Sequence, residues 1–189
     1  MIYIPCDIEA DNLLSYVTKI HCLSMNWGGE IKTTFSYDDM RKLVARKDIT
    51  LVGHNFVCYD VPVLERLLGV KVECGVIDTL ALSWYLYPSR SSHGLAGWGE
   101  EFGVPKPEID DWKNLTPQQY QHRCEEDVKI QTLLWEKMQQ DLTDLYDNNE
   151  ALISSLMRYL SFKMYTVRLQ EQNPFTLDVE TTEKNLAYL

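Results

Sequence analysis

Asp7 and Glu9 stand two residues apart in the run Ile2-Tyr3-Ile4-Pro5-Cys6-Asp7-Ile8-Glu9. In an extended chain residues i and i+2 point to the same side, roughly 6–7 Å apart. Two carboxylates so placed can share a hard divalent cation, which would also remove their mutual repulsion. The plain alternative for a D-x-E pair is a solvated strand end. Here the rest of the strand is apolar, so two acids near its carboxyl end require a physical reason.

Asp60 closes the run Gly53-His54-Asn55-Phe56-Val57-Cys58-Tyr59-Asp60, where a buried strand gives way to a loop and a helix begins. Alone it reads equally as an acid favoured by a helix N-terminus, worth about 0.3–1 kcal/mol, and Asn55 as a loop residue bonding its own backbone. Asp127 ends the run His122-Arg123-Cys124-Glu125-Glu126-Asp127. Three acids in a row on a helix are usually a solvated face, which suits Glu125 and Glu126. Asp127, however, borders the apolar seam of Cys124, Val128 and Gln131, so its spacing aims it toward a sheet.

The elements that must position these acids follow from periodicity. Residues 2–9 alternate with the two-residue period of a strand, and residues 18–27 and 31–35 read as two more strands joined through Gly28-Gly29 as a hairpin. Tyr37 to Lys47 reads as a short helix, Thr50 to Gly53 as a buried strand, and Tyr59 to Leu68 as a helix with Val61, Leu64, Leu67 and Leu68 on one side. A further strand or loop enters Asp78-Thr79, with a helix to about Tyr87 stopped by Pro88-Ser89. Ser92 to Phe102 reads as helical but interrupted by its glycines. Thr116-Pro117 caps a long helix running to about Leu142, and a second amphipathic helix spans Asn149 to Gln172. Residues 175–189 are too few for a domain. Asp78 reads as a structural carboxylate holding neighbouring backbone groups.

The chain has 189 residues, 45% apolar and 24% charged, enough for one domain with a core of ordinary size plus a remainder. Its 18 Lys and Arg against 28 Asp and Glu leave a charge of −10, so binding a polyanion along an extended basic face is excluded as the main mode. Nucleic-acid contact must be local or bridged by metal. The five cysteines form no C-x-x-C pair and sit in apolar stretches, which argues for reduced structural thiols. Neither a signal peptide nor a membrane-spanning run is readable, so the expected setting is cytoplasmic with no membrane partner.

In order, D-x-E, N-x-x-x-Y-D and a late helix bearing a final Asp resemble the DEDD superfamily of 3′–5′ exonucleases. Within it the segments DIEADNLL, HNFVCYDVPVLERL, IDTLALSWYL, SHGLAGWGEEFG and CEEDVKIQTLLWEKM are similar to the proofreading domain of bacteriophage family-A DNA polymerases, in the right order over roughly residues 1–142. Phe175 to Glu180 resembles the junction where such polymerases pass to their polymerase domain. The resemblance implies an α/β, ribonuclease-H-like mixed sheet, three antiparallel strands followed by parallel ones, flanked by helices and ending in a helical tail. It divides the chain into an exonuclease domain over 1–147 and a helical linker over 148–189.

The same resemblance implies two divalent cations, Mg²⁺ or Mn²⁺, held by Asp7, Glu9, Asp60 and Asp127 and clamping a scissile phosphate. It implies a single-stranded DNA 3′ end as substrate and a polymerase domain or subunit as partner, in the host cytoplasm if the gene is a phage's. Leu13, Asn55 and His93 become the expected substrate contacts, with Trp98 equally open to packing or stacking. The relatives carry Tyr four residues before the final Asp; here that position is Arg123, which cannot accept a proton. His122, at the H-x-x-x-x-D spacing of a histidine-dependent branch, is then the expected general base. Five residues turn a regular helix about 500°, so this role requires the helix to bend or to begin near 122; Tyr120 is the rival. Two further readings remain: a freestanding exonuclease on short RNA or DNA, and a non-catalytic interaction module on the same fold.

Overall fold

The computed structural model describes residues 2–106 and 115–188. Its centre is a five-stranded sheet of β1 (Ile2–Ala10), β2 (Ile20–Trp27), β3 (Glu30–Thr34), β4 (Ile49–Gly53) and β5 (Gly75–Asp78), in the order β3-β2-β1-β4-β5. The first three strands are antiparallel, and β4 and β5 run parallel to β1. This is the mixed sheet that the motifs imply. Gly28 and Gly29 both take positive φ at the β2–β3 turn, a conformation that glycine adopts without steric cost.

Helices cover both faces. On one face, α1 (Tyr37–Val44) and α2 (Asp60–Leu68) bury Met40, Leu43, Val44, Val63 and Leu64 against Ile4, Cys6, Ile8 and Leu51. On the other, α3 (Thr79–Leu86), α4 (Leu95–Phe102) and α5 (Pro117–Leu145) pack Leu82, Trp98, Ile130, Leu134 and Met138 with Val52 and Ile77. At α5 the threonine of the expected cap accepts from Gln119 N–H at 3.3 Å, and the Gln119 side chain bonds back to Thr116 N–H at 2.8 Å. The five cysteines are buried and free.

The structure differs from periodicity in one place. α4 is one helix rather than an interrupted one, because Gly99 lies inside it for packing: a Cβ there would come within 2.7 Å of Ile130 and 2.5 Å of the Val104 carbonyl. The helix α6 (Glu150–Gln172), assigned from sequence to the linker, sinks Leu160 and Met164 into the same apolar cluster as α3 and α5. Ser161 donates to the Val76 carbonyl at 3.0 Å. The last helix, α7 (Val179–Leu186), is capped by Asp178 and buries nothing.

Candidate metal centre

The sheet delivers the first two acids. β4 accompanies β1 through Pro5, paired with Val52, and ends at Gly53. Beyond Pro5 the β4 side of β1 is taken over by the 54–59 turn and the start of α2, so a crevice opens at the carboxyl ends of the parallel strands, the favoured place for ligands in such sheets. Asp7 and Glu9 project there, opposite Ser24 and Cys22 of β2. Helix α5 crosses over them. Cys124 Sγ donates to the Asp7 carbonyl at 3.3 Å, and Arg123 Nε donates to Glu9 Oε1 at 2.6 Å. One turn on, Asp127 points inward and is 3% exposed.

One ligand oxygen each from Asp7, Glu9 and Asp127 lie within 4.8 Å of one another. Asp60, the first residue of α2 and 4% exposed, lines the same cleft of about 480 Å³, with Asn55, Leu13, His54, Tyr59 and Arg123. Burial pushes the carboxyl pKa of Asp7 and Asp60 well above the usual range, reinforced at Asp7 by Asp127, Asp60 and Glu9 and at Asp60 by Asp78. Glu9 and Asp127 are also raised by burial, against the pull of Arg123 and of Lys106 respectively. A donor set made wholly of carboxylates suits hard dications. Among the described residues Asp127 Oδ1 is buried and has no hydrogen-bond partner, a costly arrangement in a protein interior unless a cation completes it. The residues present therefore fit the expected ions.

A fifth carboxylate organises the loop. Asp78, the N-cap of α3, accepts from Leu80 N–H at 3.0 Å, Asn55 N–H at 3.1 Å and Val57 N–H at 3.0 Å. It is a structural acid, as its sequence context indicates. Asn55 takes φ 58°, a left-handed conformation that Asn tolerates better than most residues. Gly53 is required beneath it, because a Cβ there would stand 2.2 Å from the Phe56 ring. Tyr59 donates to the Asn12 carbonyl at 2.6 Å, tying this loop to the end of β1.

Leu13, 73% exposed, stands at the mouth of the cleft. Asn55 lines it too, whereas His122, Tyr120, His93 and Trp98 are outside the lining. α5 begins at Pro117, five residues before His122, rather than at it. Its ring is 64% exposed, 3.8 Å from Glu126 and outside the cleft lining. Tyr120 stacks on His21 with ring centroids 3.6 Å apart. His93 is occupied by Ser83 at 2.7 Å and lies outside the cleft lining. Trp98 is 1% exposed, packed against Arg90 and Phe102. Sequence reasoning missed Lys106, whose Nζ lies 2.6 Å from Asp127 Oδ2; no spacing rule links it to an acid 21 residues away. It also missed Arg123 as the partner of Glu9, although Arg123 in place of a tyrosine was the available signal.

The chain aligns with the DNA-directed DNA polymerase of Enterobacteria phage T3 at 27% identity over 194 positions, covering 84% of this chain and 27% of the polymerase. With that of Escherichia phage T7 the identity is 28% over 199 positions, covering 86% and 27%. The sequence is related to these phage polymerases. The chain spans about a quarter of the length of these curated relatives. Among solved structures, Brucella melitensis NrnC with bound Mg²⁺ superposes with a TM-score of 0.67 at 17% identity, covering 94% of this chain and 90% of NrnC. NrnC has also been solved bound to pGG. No protein-family model matches the chain.

Proposed function

We propose that this chain is a metal-dependent 3′–5′ exonuclease that releases nucleoside 5′-monophosphates from single-stranded DNA 3′ ends, acting in the host cytoplasm as the proofreading part of a phage replicative polymerase. The convergence of Asp7, Glu9 and Asp127 oxygens within 4.8 Å carries the reading, and the kinship with the T3 and T7 polymerases supplies the setting. Two dications here would supply Lewis acidity and phosphate attraction that a −10 chain otherwise lacks. Asp7, Glu9 and Asp127 would hold one ion, and Asp7 with Asp60 would hold the other. Asn55 bonds the terminal sugar or phosphate, and Leu13 wedges against the last base. The cleft continues through Leu13, Asn55 and Tyr59 into a groove bordered by Arg66, Lys71 and Arg168, whose charge is offset by Glu171 and by Glu65, 2.9 Å from Arg168 and 3.6 Å from Lys71.

The experiment uses a 5′-labelled single strand with Mn²⁺. Stepwise shortening from the 3′ end, abolished by chelator, is expected; intact or chelator-insensitive strand would refute an enzyme and favour a binding module. His122→Ala tests the general base separately. A true base would cost about 10²–10⁴-fold in rate. From its exposed place outside the cleft, retention of activity within about threefold is expected, and a loss in the larger range would return the proton to the imidazole.

One observation favours the second reading, a freestanding exonuclease on short RNA or DNA: the chain covers 90% of NrnC, a protein solved with pGG. α6 leaves Leu152, Tyr159, Phe162, Tyr165 and Leu169 exposed along one side, a face that a polymerase body or a second copy could cover. Relative rates on matched ribo- and deoxyribo-oligonucleotides, with mass in solution, separate the two. Among the described residues no helix is long and apolar enough to cross a membrane.

A further inference from the structure

Lys106 reaches Asp127 from a braced segment. Where the chain leaves α4, Val104 N–H donates to the Gly99 carbonyl at 2.8 Å. Lys106 lies between Pro105 and Pro107; Pro105 fixes its own φ, and Pro107 disfavours a helical conformation at Lys106. The side chain is 24% exposed, and its ammonium, 2.6 Å from Asp127 Oδ2, also acts on Asp7 and Glu9. It thus sits among the acids that dications would fill. A dication ligated by Asp127 would repel an ammonium at hydrogen-bond distance. The four-carbon stem lets Nζ swing several ångströms without moving the backbone, and a phosphate drawn into the cleft is then the nearest uncompensated anion.

We propose that Lys106 is a catalytic residue: it neutralises Asp127 before cations and substrate enter, and afterwards contacts a non-bridging oxygen of the scissile phosphate. Water adds to phosphorus, the bond from phosphorus to the 3′ oxygen breaks, one proton passes to that oxygen and another to solvent, while Lys106 compensates charge building on the phosphoryl group. The proposal rests on the exonuclease reading.

The test compares Lys106→Gln and Lys106→Arg with the unaltered chain. Titration with Mn²⁺ alone should show affinity raised about tenfold in Lys106→Gln, because a competing cation is gone. At saturating Mn²⁺ its kcat on a 5′-labelled single strand should fall about 10²-fold, the usual scale for one lost transition-state donor, and Lys106→Arg should recover most of the loss. Binding of the same strand with Ca²⁺ should show a salt slope shallower by about 0.7, one phosphate contact on a single strand. Wild-type kcat in Lys106→Gln at saturating Mn²⁺ would overturn the proposal. If the unaltered chain cleaves nothing, a shallower slope in Lys106→Gln keeps the phosphate contact while the exonuclease reading fails; an unchanged slope overturns the contact as well.

Discussion

Asp7→Asn should abolish strand shortening while making the cation-free protein harder to melt. Asp7 senses Asp127, Asp60 and Glu9 together, and on the proposed reading it is the carboxylate that would serve both dications. Loss of at least about 10³-fold in kcat is expected, equivalent to ~4 kcal/mol of barrier. The stability change has the opposite sign. Two carboxylates at the 4.8 Å that bounds this cluster repel by about 3 kcal/mol at an effective dielectric near 20, an interaction that Arg123 and Lys106 offset only in part. In a chain of this size each kcal/mol relieved is worth ~2–4 °C of Tm. Asparagine keeps the shape and removes the charge. A substitution that lowers Tm by several degrees in chelator would mean that Asp7 holds the fold rather than the cations, and the metal centre would be lost as an explanation.

The second large effect couples pH, cation and stability. Asp7, Glu9, Asp60 and Asp127 all have carboxyl pKa values raised in the folded chain, principally by burial. Each therefore binds its proton more tightly folded than unfolded. The stability this contributes is complete below the unfolded carboxyl pKa of about 4 and is lost as pH rises through the raised folded values. The cation-free protein should accordingly melt at a lower temperature at pH 7.5 than at pH 5.5, contrary to the usual behaviour of salt-bridged acids. Mn²⁺ should reverse the slope, because it binds the ionised form. At 100 times its Kd it adds ~2.7 kcal/mol, about 5–10 °C. Melting curves at the two pH values, with chelator and with Mn²⁺, read this directly. A chelator curve that gains stability from pH 5.5 to 7.5 would show that the four acids are already compensated within the protein.

Much of the site is local enough to be read along the chain. Asp7 and Glu9 share a side because a strand repeats every two residues, and Asp127 turns inward because it borders the seam of Cys124, Val128 and Gln131 on a helix. The element order, the hairpin at Gly28-Gly29 and the cap at Thr116-Pro117 rest on the same short-range rules. They also located Asp60 at the start of α2, after the turn that follows β4. Periodicity misjudged α4, because the reason for Gly99 lies on α5 and in the Val104 carbonyl rather than in its neighbours along the chain.

Partners across long sequence separations were decided only by the folded chain. Arg123 meets Glu9 because α5 crosses β1, and Lys106 meets Asp127 because α4 hands its chain end across the crevice. His122 faces solvent because α5 begins five residues earlier and runs through it without a break. Spacing along one element determines which side a residue faces. What it faces depends on how the elements cross, and that is settled by packing over the whole core.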